Sequence, residues 1–363
     1  MSRILKIILL LVISQYAFGQ VARQNECPDY MRKNAAPLVN QEVLHQRRLE
    51  MGARAGLPYT MRLNVVVFYK STPTVNDAVI LRNIEDMANF YKPHNICFIL
   101  SDIEYIQDSV MADFNTANEA MLQSYIRPYH INIFIHTYLW SPGWILNGNA
   151  YAIPNNYLSL VDDVVWSYSN ISTMSHEMGH CFGLYHTFED MNGTERVARN
   201  GLCKNCETTG DFLCDTDADQ NINDSLISAT SCLYTGSKVD NCDNSNFIMT
   251  PTNIMSYGRR PCRDHFTNGQ GARSRDYILT ETILYNCIAP DVLNITNSTN
   301  STNGVYSLTA KNNINVNSSS YQITGNAQMT MTSTRIQISP GAVFRPAINS
   351  SGKIKLLVNP YCP

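Results

Sequence analysis

The sequence predicts an α/β (α+β) domain, with a mixed twisted sheet and one histidine-bearing helix, followed by a small C-terminal all-β module. Three observations predict it. β-Branched apolar runs alternate with segments of helical spacing between residues 61 and 180. Three histidines recur at fixed offsets from His176 to His186. Beyond residue 311, apolar residues fall on every second position.

The elements follow in order. Leu63 to Phe68 is a β-branched apolar run, the pattern of a buried strand. Asp77 to Tyr91 carries Val79, Ile80, Ile84, Met87, Ala88 and Tyr91 at helical spacing. Ile96 to Leu100 reads as a second strand, Phe114 to Tyr125 as helix-like, and Ile131 to Ile135 as a third strand. This alternation implies a mixed sheet with a helix on its face. Asn149 to Leu160 is extended, and Pro154 inside it fits an edge strand better than a central one. The histidine-bearing helix starts near Ser172. From Asn192 to Asp243 the chain is rich in Gly, Asp, Asn and Cys, an irregular stretch that needs crosslinks or ions for order. Residues 271–288 return to helical spacing through Tyr277, Ile278, Thr282, Ile283 and Leu284.

These readings divide the chain. Residues 1–19 are a signal peptide: Arg3 and Lys6 precede the apolar run Ile7 to Ile13, and Ala17-Phe18-Gly19 offers small residues for cleavage. Residues 20–60 are a polar pro-segment or N-terminal arm, and 61–290 the main domain. Residues 291–311 form an Asn/Ser/Thr-rich linker by composition. In 312–363, Ala327, Met329 and Met331 alternate with Gln328, Thr330 and Thr332, then come Ile336, Ile338 and the turn Pro340-Gly341. No long internal repeat is visible. With 44% hydrophobic and 16% charged residues, the chain can build a core rather than remain disordered. A net charge of −3 argues against a nucleic-acid partner. No apolar run reaches the ~20 residues of a membrane span.

Export accounts for eleven cysteines, and the odd number leaves at least one thiol over. Cys203-x-x-Cys206 lacks a second such pair and reads as a local loop crosslink. Cys181, inside the histidine-bearing helix, reads as buried packing. Eight Asn-x-Ser/Thr sequons occur, at Asn170, Asn192, Asn223, Asn294, Asn297, Asn300, Asn317 and Asn349. They are glycan sites in a eukaryotic host and incidental in another.

The chemistry concentrates in His-Glu-Met-Gly-His-Cys-Phe-Gly-Leu-Tyr-His, from His176 to His186. Histidines four apart share one helix face, so His176 and His180 can grip one ion. Gly183 lets the chain leave the helix sharply and bring His186 back as a third ligand. Three imidazoles leave a fourth tetrahedral position open, the catalytic rather than the structural zinc arrangement. Glu177 sits beside the first ligand, placed to act as base on a water. Downstream, Met255 in Asn253-Ile254-Met255-Ser256-Tyr257 supplies a methionine turn beneath the metal.

This extended motif with its methionine turn is that of the metzincin zinc proteases. The chain further resembles their pappalysin family (M43), in its smaller cytophagalysin-like branch, over roughly residues 60–290. Thr187-Phe188 after the third histidine, Gly210-Asp211-Phe212-Leu213-Cys214-Asp215-Thr216 and the Met255 segment carry that resemblance. Asp217 stands where the family has proline, and Ser256 where it has an acid. The resemblance implies a two-lobed domain with zinc at the floor of a cleft, a Tyr257 that swings to the zinc and helps hold the oxyanion, and calcium in the irregular segment. Asp215, Asp217 and Asp219 offer hard oxygen ligands for calcium, or form a solvated acidic loop. It also implies disulfides pairing Cys214 with Cys242 and Cys232 with Cys262. Family members often carry an aspartate before the cysteine that matches Cys262, and it favours Arg after the cut. Here that residue is Pro261, preceded by Arg259 and Arg260, a pattern that favours neutral or acidic side chains instead. Cys27 is either a latency thiol for the open zinc position or half of a structural disulfide. Residues 312–362 resemble the short β-modules that end many secreted proteins of Bacteroidetes-type bacteria.

The resulting expectation is a secreted zinc endopeptidase acting on protein or peptide substrates. The substrate would add as a strand near Tyr151 to Ile153. Glu177 would act as general base, with Tyr257 and zinc at the oxyanion. The rival is a non-catalytic secreted binding protein with a structural zinc, which the retained Glu177 speaks against.

Overall fold

Why the main sheet forms where it does follows from its strands' near-continuous apolar sequences. The computed structural model describes residues 39–52, 56–220, 222, 224–296, 300–318, 321–342, 344–346 and 351–358. The signal peptide and Cys27 lie outside the described residues. The chain opens with α1 (Gln41–Met51), β1 (Tyr59–Tyr69), α2 (Asp77–Tyr91), β2 (Ile96–Gln107), α3 (Ser109–Ala112) and β3 (Asp113–Asn115). A 3₁₀ stretch, Thr116–Tyr125, precedes β4 (Ile131–His136), β5 (Tyr138–Ser141), β6 (Trp144–Ile145), β7 (Gly148–Ala150) and β8 (Tyr157–Val161). Then come α4 (Asp162–Trp166), α5 (Thr173–Cys181), α6 (Asn268–Thr280) and α7 (Thr282–Tyr285).

The sheet order is β2-β1-β4-β8-β7. Strands β2, β1, β4 and β8 are parallel, and β7 runs antiparallel to β8 at one edge. Mixed strand directions are thus as the sequence predicts. β1 and β4 are buried on both faces, which explains why they read as continuous apolar runs rather than alternating ones. α2 matches its expected span, capped by the Asn76 side chain on the Val79 amide. Its Tyr91 hydroxyl donates to the Ser175 carbonyl at 3.0 Å, which fixes α5 against α2. The helix-like stretch at Phe114 to Tyr125 is instead β3 followed by 3₁₀ turns.

The extended stretch from Asn149 to Leu160 is a correction. It splits into β7 and β8, and Tyr151 to Ile153 lies in a bend, not a strand. Tyr151 is buried, its hydroxyl 2.8 Å from Ser159 Oγ. The edge of the sheet is Gly148–Ala150. In the polar arm, α1 forms without an apolar stripe, burying Leu44 alone. It docks on the C-terminal helices through Arg48 to Asp276 at 2.7 Å and Arg47 over the Tyr285 ring at 4.1 Å.

The segment from residue 189 to 250 has a small core of Ala218, Ile222, Ile227, Phe247 and Met249. Disulfides Cys203–Cys242, Cys206–Cys214 and Cys232–Cys262 bind it. Cys232–Cys262 is as the family resemblance implied, but Cys214 does not pair with Cys242. Cys206, whose Cα lies 5.0 Å from that of Cys214, takes it, and Cys242 pairs with Cys203 at 5.9 Å. The two cysteines of Cys203-x-x-Cys206 therefore serve different crosslinks rather than one local one. Cys97 is also disulfide-bonded, while Cys181 and Cys287 are free and buried.

The residues read as a linker are strands. β9 (Val292–Ile295), β10 (Asn300–Thr302) and β11 (Val305–Thr309) form the first turn of a parallel coil. β12 (Asn313–Val316), β13 (Tyr321–Thr324) and β14 (Gln328–Ser333) form the second; β15 (Ile336–Ile338), β16 (Phe344–Pro346) and β17 (Lys353–Val358) the third. Each strand pairs in parallel with its counterpart one turn on. A repeat is therefore present: Val292 opposes Asn313, an offset of 21, and Gln328 opposes Lys353, an offset of 25. Ala327, Met329 and Met331 point into its core as their alternation predicts. Thr330 and Thr332 are buried too, because that face lies on β2. Ser101 Oγ is 2.7 Å from Thr309 Oγ1, and the Thr332 hydroxyl donates to the Ser101 carbonyl at 3.4 Å. The coil is docked on the main domain, not tethered to it.

Candidate metal centre

Helix α5 begins where Asn170 Oδ1 accepts from both the amide and the hydroxyl of Thr173. It is buried along its whole length, so its polar side chains need partners inside the protein. Its exit depends on Gly183, whose φ is 85° and where any Cβ would overlap the Tyr277 ring. The Leu184 amide then donates back to the Gly179 carbonyl at 2.9 Å, and His186 swings over the helix.

The three Nε2 atoms lie close together. His176 and His180 are 3.2 Å apart, His180 and His186 3.2 Å, His176 and His186 3.3 Å. Bonds of about 2.0–2.1 Å at tetrahedral angles require nitrogens roughly 3.3 Å apart, so this spacing fits one zinc ion. The second ring nitrogens agree. His176 Nδ1 lies 2.7 Å from the Ile254 carbonyl, and His180 Nδ1 2.8 Å from that of Leu184. A carbonyl only accepts, so Nδ1 carries the proton and Nε2 the lone pair in both rings. Lone pairs facing each other inside a buried pocket need a cation between them. Among the described residues, these three histidines are the one gathered group of metal-ligating side chains.

Glu177 is buried beside this centre, against the edge strand. An ideal Cβ on Gly148 would sit 2.6 Å from Glu177 Cγ, so only glycine lets β7 and the carboxylate meet. Met255 lies beneath α5, where its sulfur closes on Gly179. The turn holding it is fixed by Asn253, whose Oδ1 accepts from the Met255 amide at 2.9 Å. Asn253 in turn exchanges two amide bonds with Gln270, of 2.9 and 3.1 Å. Tyr257 packs its ring 4.8 Å from that of His186 and 4.3 Å from that of Phe188.

Asp215, Asp217 and Asp219 line one small cavity but do not gather as a ligand set. Asp215 accepts from the Gly269 amide at 2.6 Å, at the N-terminus of α6. Asp217 accepts from the Thr250 hydroxyl. Asp219 is buried and accepts from Thr187 at 2.8 Å and Ser256 at 2.9 Å. Thr187 follows the third histidine and Ser256 follows Met255, so one carboxylate clamps both sides of the centre. Burial raises the Asp219 carboxyl above the usual range, and these two hydroxyls pull it back.

Residues 129–279 match the model of the M43 peptidase family, described as pregnancy-associated plasma protein-A. This central region resembles the M43 peptidases. Two of its curated relatives bracket the likeness. An extracellular metalloprotease of Neurospora crassa is 25% identical over 260 residues, 64% of this chain and 81% of that one. Human pappalysin-1 is 31% identical over 140 residues, 38% of this chain but 7% of the relative. A solved promirolysin variant of Tannerella forsythia aligns at 17% identity and TM-score 0.48, over 72% of this chain and 95% of that one. The chain is a metallopeptidase similar to the M43 family over residues 129–279, which hold its three histidines. No helix among the described residues is long and apolar enough to cross a membrane.

Sequence reasoning missed four positioning residues in this peptidase: Asn170, Gly148, Asp219 as a clamp, and Gln270. Two had local signals. Thr267-x-x-Gln270 is a capping box, and both of its bonds form at the start of α6. A glycine inside a strand marks close approach of another group, as at Gly148.

Proposed function

We propose that this peptidase is a secreted zinc endopeptidase in which His176, His180 and His186 hold the metal and Glu177 is the general base. The carrying observation is the buried carboxylate pressed between the histidine cluster and the glycine of an edge strand. Bound at the three Nε2 atoms, zinc supplies Lewis acidity to the scissile carbonyl and to water. Glu177 accepts the proton from the attacking water and delivers it to the departing amine, so the peptide bond is replaced by an acid and an amine. Tyr257 donates a hydrogen bond to the oxyanion from beside His186. Met255 shapes the floor and ligates nothing. An extended substrate adds as a strand to β7, at Gly148–Ala150 rather than at Tyr151 to Ile153.

Secretion is supported by the N-terminal signal sequence and by the disulfides of the irregular segment. Calcium takes a narrower place in this reading. The cavity of about 80 Å³ at Asp215, Asp217 and Asp219, rimmed by threonine hydroxyls, has the hard oxygen lining that calcium prefers. A melting temperature unchanged by a calcium-selective chelator would remove it.

The test is casein cleavage by the mature, zinc-loaded protein, alongside Glu177→Ala and a zinc chelator. Cleavage abolished in both arms is the expected result. Cleavage surviving in Glu177→Ala would overturn the assignment of the base. No cleavage with one zinc per chain would leave a metal-binding protein without this activity.

A further inference from the structure

Cys97 on β2 is disulfide-bonded, yet no other described cysteine is left to pair with it. Among the described residues six cysteines form Cys203–Cys242, Cys206–Cys214 and Cys232–Cys262, and Cys181 and Cys287 are free and buried. Of the eleven in the sequence, Cys27 and Cys362 remain. We propose that Cys97 is crosslinked to Cys362, which staples the last turn of the coil to the main sheet, and that Cys27 is the odd thiol. The inference is independent of the peptidase reading, since it uses no residue of the metal centre.

The face of β2 supports this pairing first. Side chains alternate along a strand, so Cys97, Ile99 and Ser101 share one face, opposite Phe98 and Leu100 of the main core. The coil is docked on the Cys97 face, since Ser101 Oγ meets Thr309 Oγ1 at 2.7 Å. Chain direction supports it next. The Thr332 hydroxyl reaches the Ser101 carbonyl, while Gln328, Thr330, Lys353 and Lys355 line one cleft with Asp102 to Ile106. β14 therefore runs opposite to β2. β17 pairs in parallel with β14, Lys353 opposite Gln328 and Leu357 opposite Thr332, so it runs the same way as β14. Beyond Val358 the chain heads toward the start of β2, where Cys97 lies. Length agrees. Cys97 is four residues before Ser101, about 13 Å along β2. Five residues lead from Leu357 to Cys362, a reach of about 17 Å, to which a disulfide adds roughly 5.5 Å between Cα atoms. That covers the distance along β2 together with the roughly 10 Å between packed layers. Cys27 has no comparable lead: among the described residues no strand precedes α1 to carry it along β2. Forming the bond joins the two Sγ atoms as each thiol gives up its proton. The electron pair passes to an exchange-active disulfide of the export pathway, which becomes a dithiol.

The experiment has two arms. In the first, the full secreted precursor is alkylated without reduction and digested with trypsin and a glutamate-specific protease. These isolate Cys97 in Asp86–Glu104, Cys362 in Leu356–Pro363 and Cys27 in Cys27–Arg32. Mass spectrometry should find Asp86–Glu104 joined to Leu356–Pro363 until a reductant is added, and Cys27 alkylated. Asp86–Glu104 joined to Cys27–Arg32, or Cys362 alkylated without reduction, overturns the proposal. The second arm compares hydrogen exchange in the wild type and Cys362→Ser. Exchange at Lys353–Val358 should rise about thirtyfold or more, the lower end of what one crosslink contributes, while β9 and β11 keep their rates. Equal exchange at Lys353–Val358 in both proteins would overturn the staple.

Discussion

The two regions that meet at the histidines are held together in different ways. Residues 59–181 form a five-stranded sheet with helices packed on it, around an apolar core that includes Met61, Leu63, Ile84, Phe98 and Phe134. Residues 189–250 have no long element; their order comes from three disulfides, a five-residue core and carboxylates that accept backbone and hydroxyl bonds. The first region is stabilised mainly by burial, the second by covalent and polar pinning. The histidine cluster takes two ligands from the first and is locked by the second through Asp219. Loss of either region should therefore release the metal by a different route.

The largest effect is expected at the exit of α5. Gly183→Ala combines a left-handed backbone with overlap on Tyr277, a cost of roughly 2–5 kcal/mol. Thermal melting with zinc quantification would check it, and a melting temperature equal to the wild type would break the account of that turn. Removal of the crosslinks comes next. By loop entropy alone, losing Cys203–Cys242, Cys232–Cys262 or Cys206–Cys214 costs about 4, about 3.6 and about 2.5 kcal/mol, following their separations of 39, 30 and 8. Urea unfolding of the paired alanine variants gives the order, and a reversed order would mean that native strain, not chain entropy, dominates. Asp219→Ala leaves the Thr187 and Ser256 hydroxyls without their acceptor, at about 1–3 kcal/mol. Asp219→Asn retains an acceptor and should recover part of that loss. If both variants melt alike, the clamp contributes nothing.

The most gradual effect is a pH slope. Burial pushes the Asp211 carboxyl up to about 7, above the unfolded value near 3.9. Between those values the folded chain keeps a proton that the unfolded chain has lost. Stability therefore falls as pH rises through that window, by at most about 1.4 kcal/mol per pH unit from this group. Asp211→Asn should flatten the profile between pH 4 and 7. An equal slope in both proteins would assign the titration elsewhere, with Glu195, pushed up to about 9 by burial, the next candidate.

The same contrast explains what could be read from the sequence. In the burial-driven region the signal is local periodicity: α2 falls on its expected residues, and the three strands extend only outward from theirs. The histidine motif is local too, so its geometry was legible before any fold. In the pinned region the partners are distant in sequence. No pattern in the chain says that Cys242 belongs with Cys203, or that Asp219 reaches both Thr187 and Ser256. The C-terminal coil was half legible. Its inward alternation at Met329 and Met331 is plain, but its turns vary in length. Its buried Thr309, Thr330, Thr332 and Ser333 also make structured residues look polar. Helix α1 was hidden because it buries one leucine and docks by arginines.

The outermost described strand of the coil bears on behaviour at high concentration. Among the described residues, β17 is the last strand of its sheet, pairing with β14 alone. An outermost strand with one open edge is a template on which another molecule can continue the stack, and so a seed for fibres. Here Lys353 and Lys355 are exposed along that strand. A second copy laid in register would bring like charges to about 4.8 Å, the strand spacing. The two lysines thus act as gatekeepers of colloidal stability: replacing both with threonine should raise light scattering on concentration, and unchanged scattering would mean the terminal turn is protected by other means.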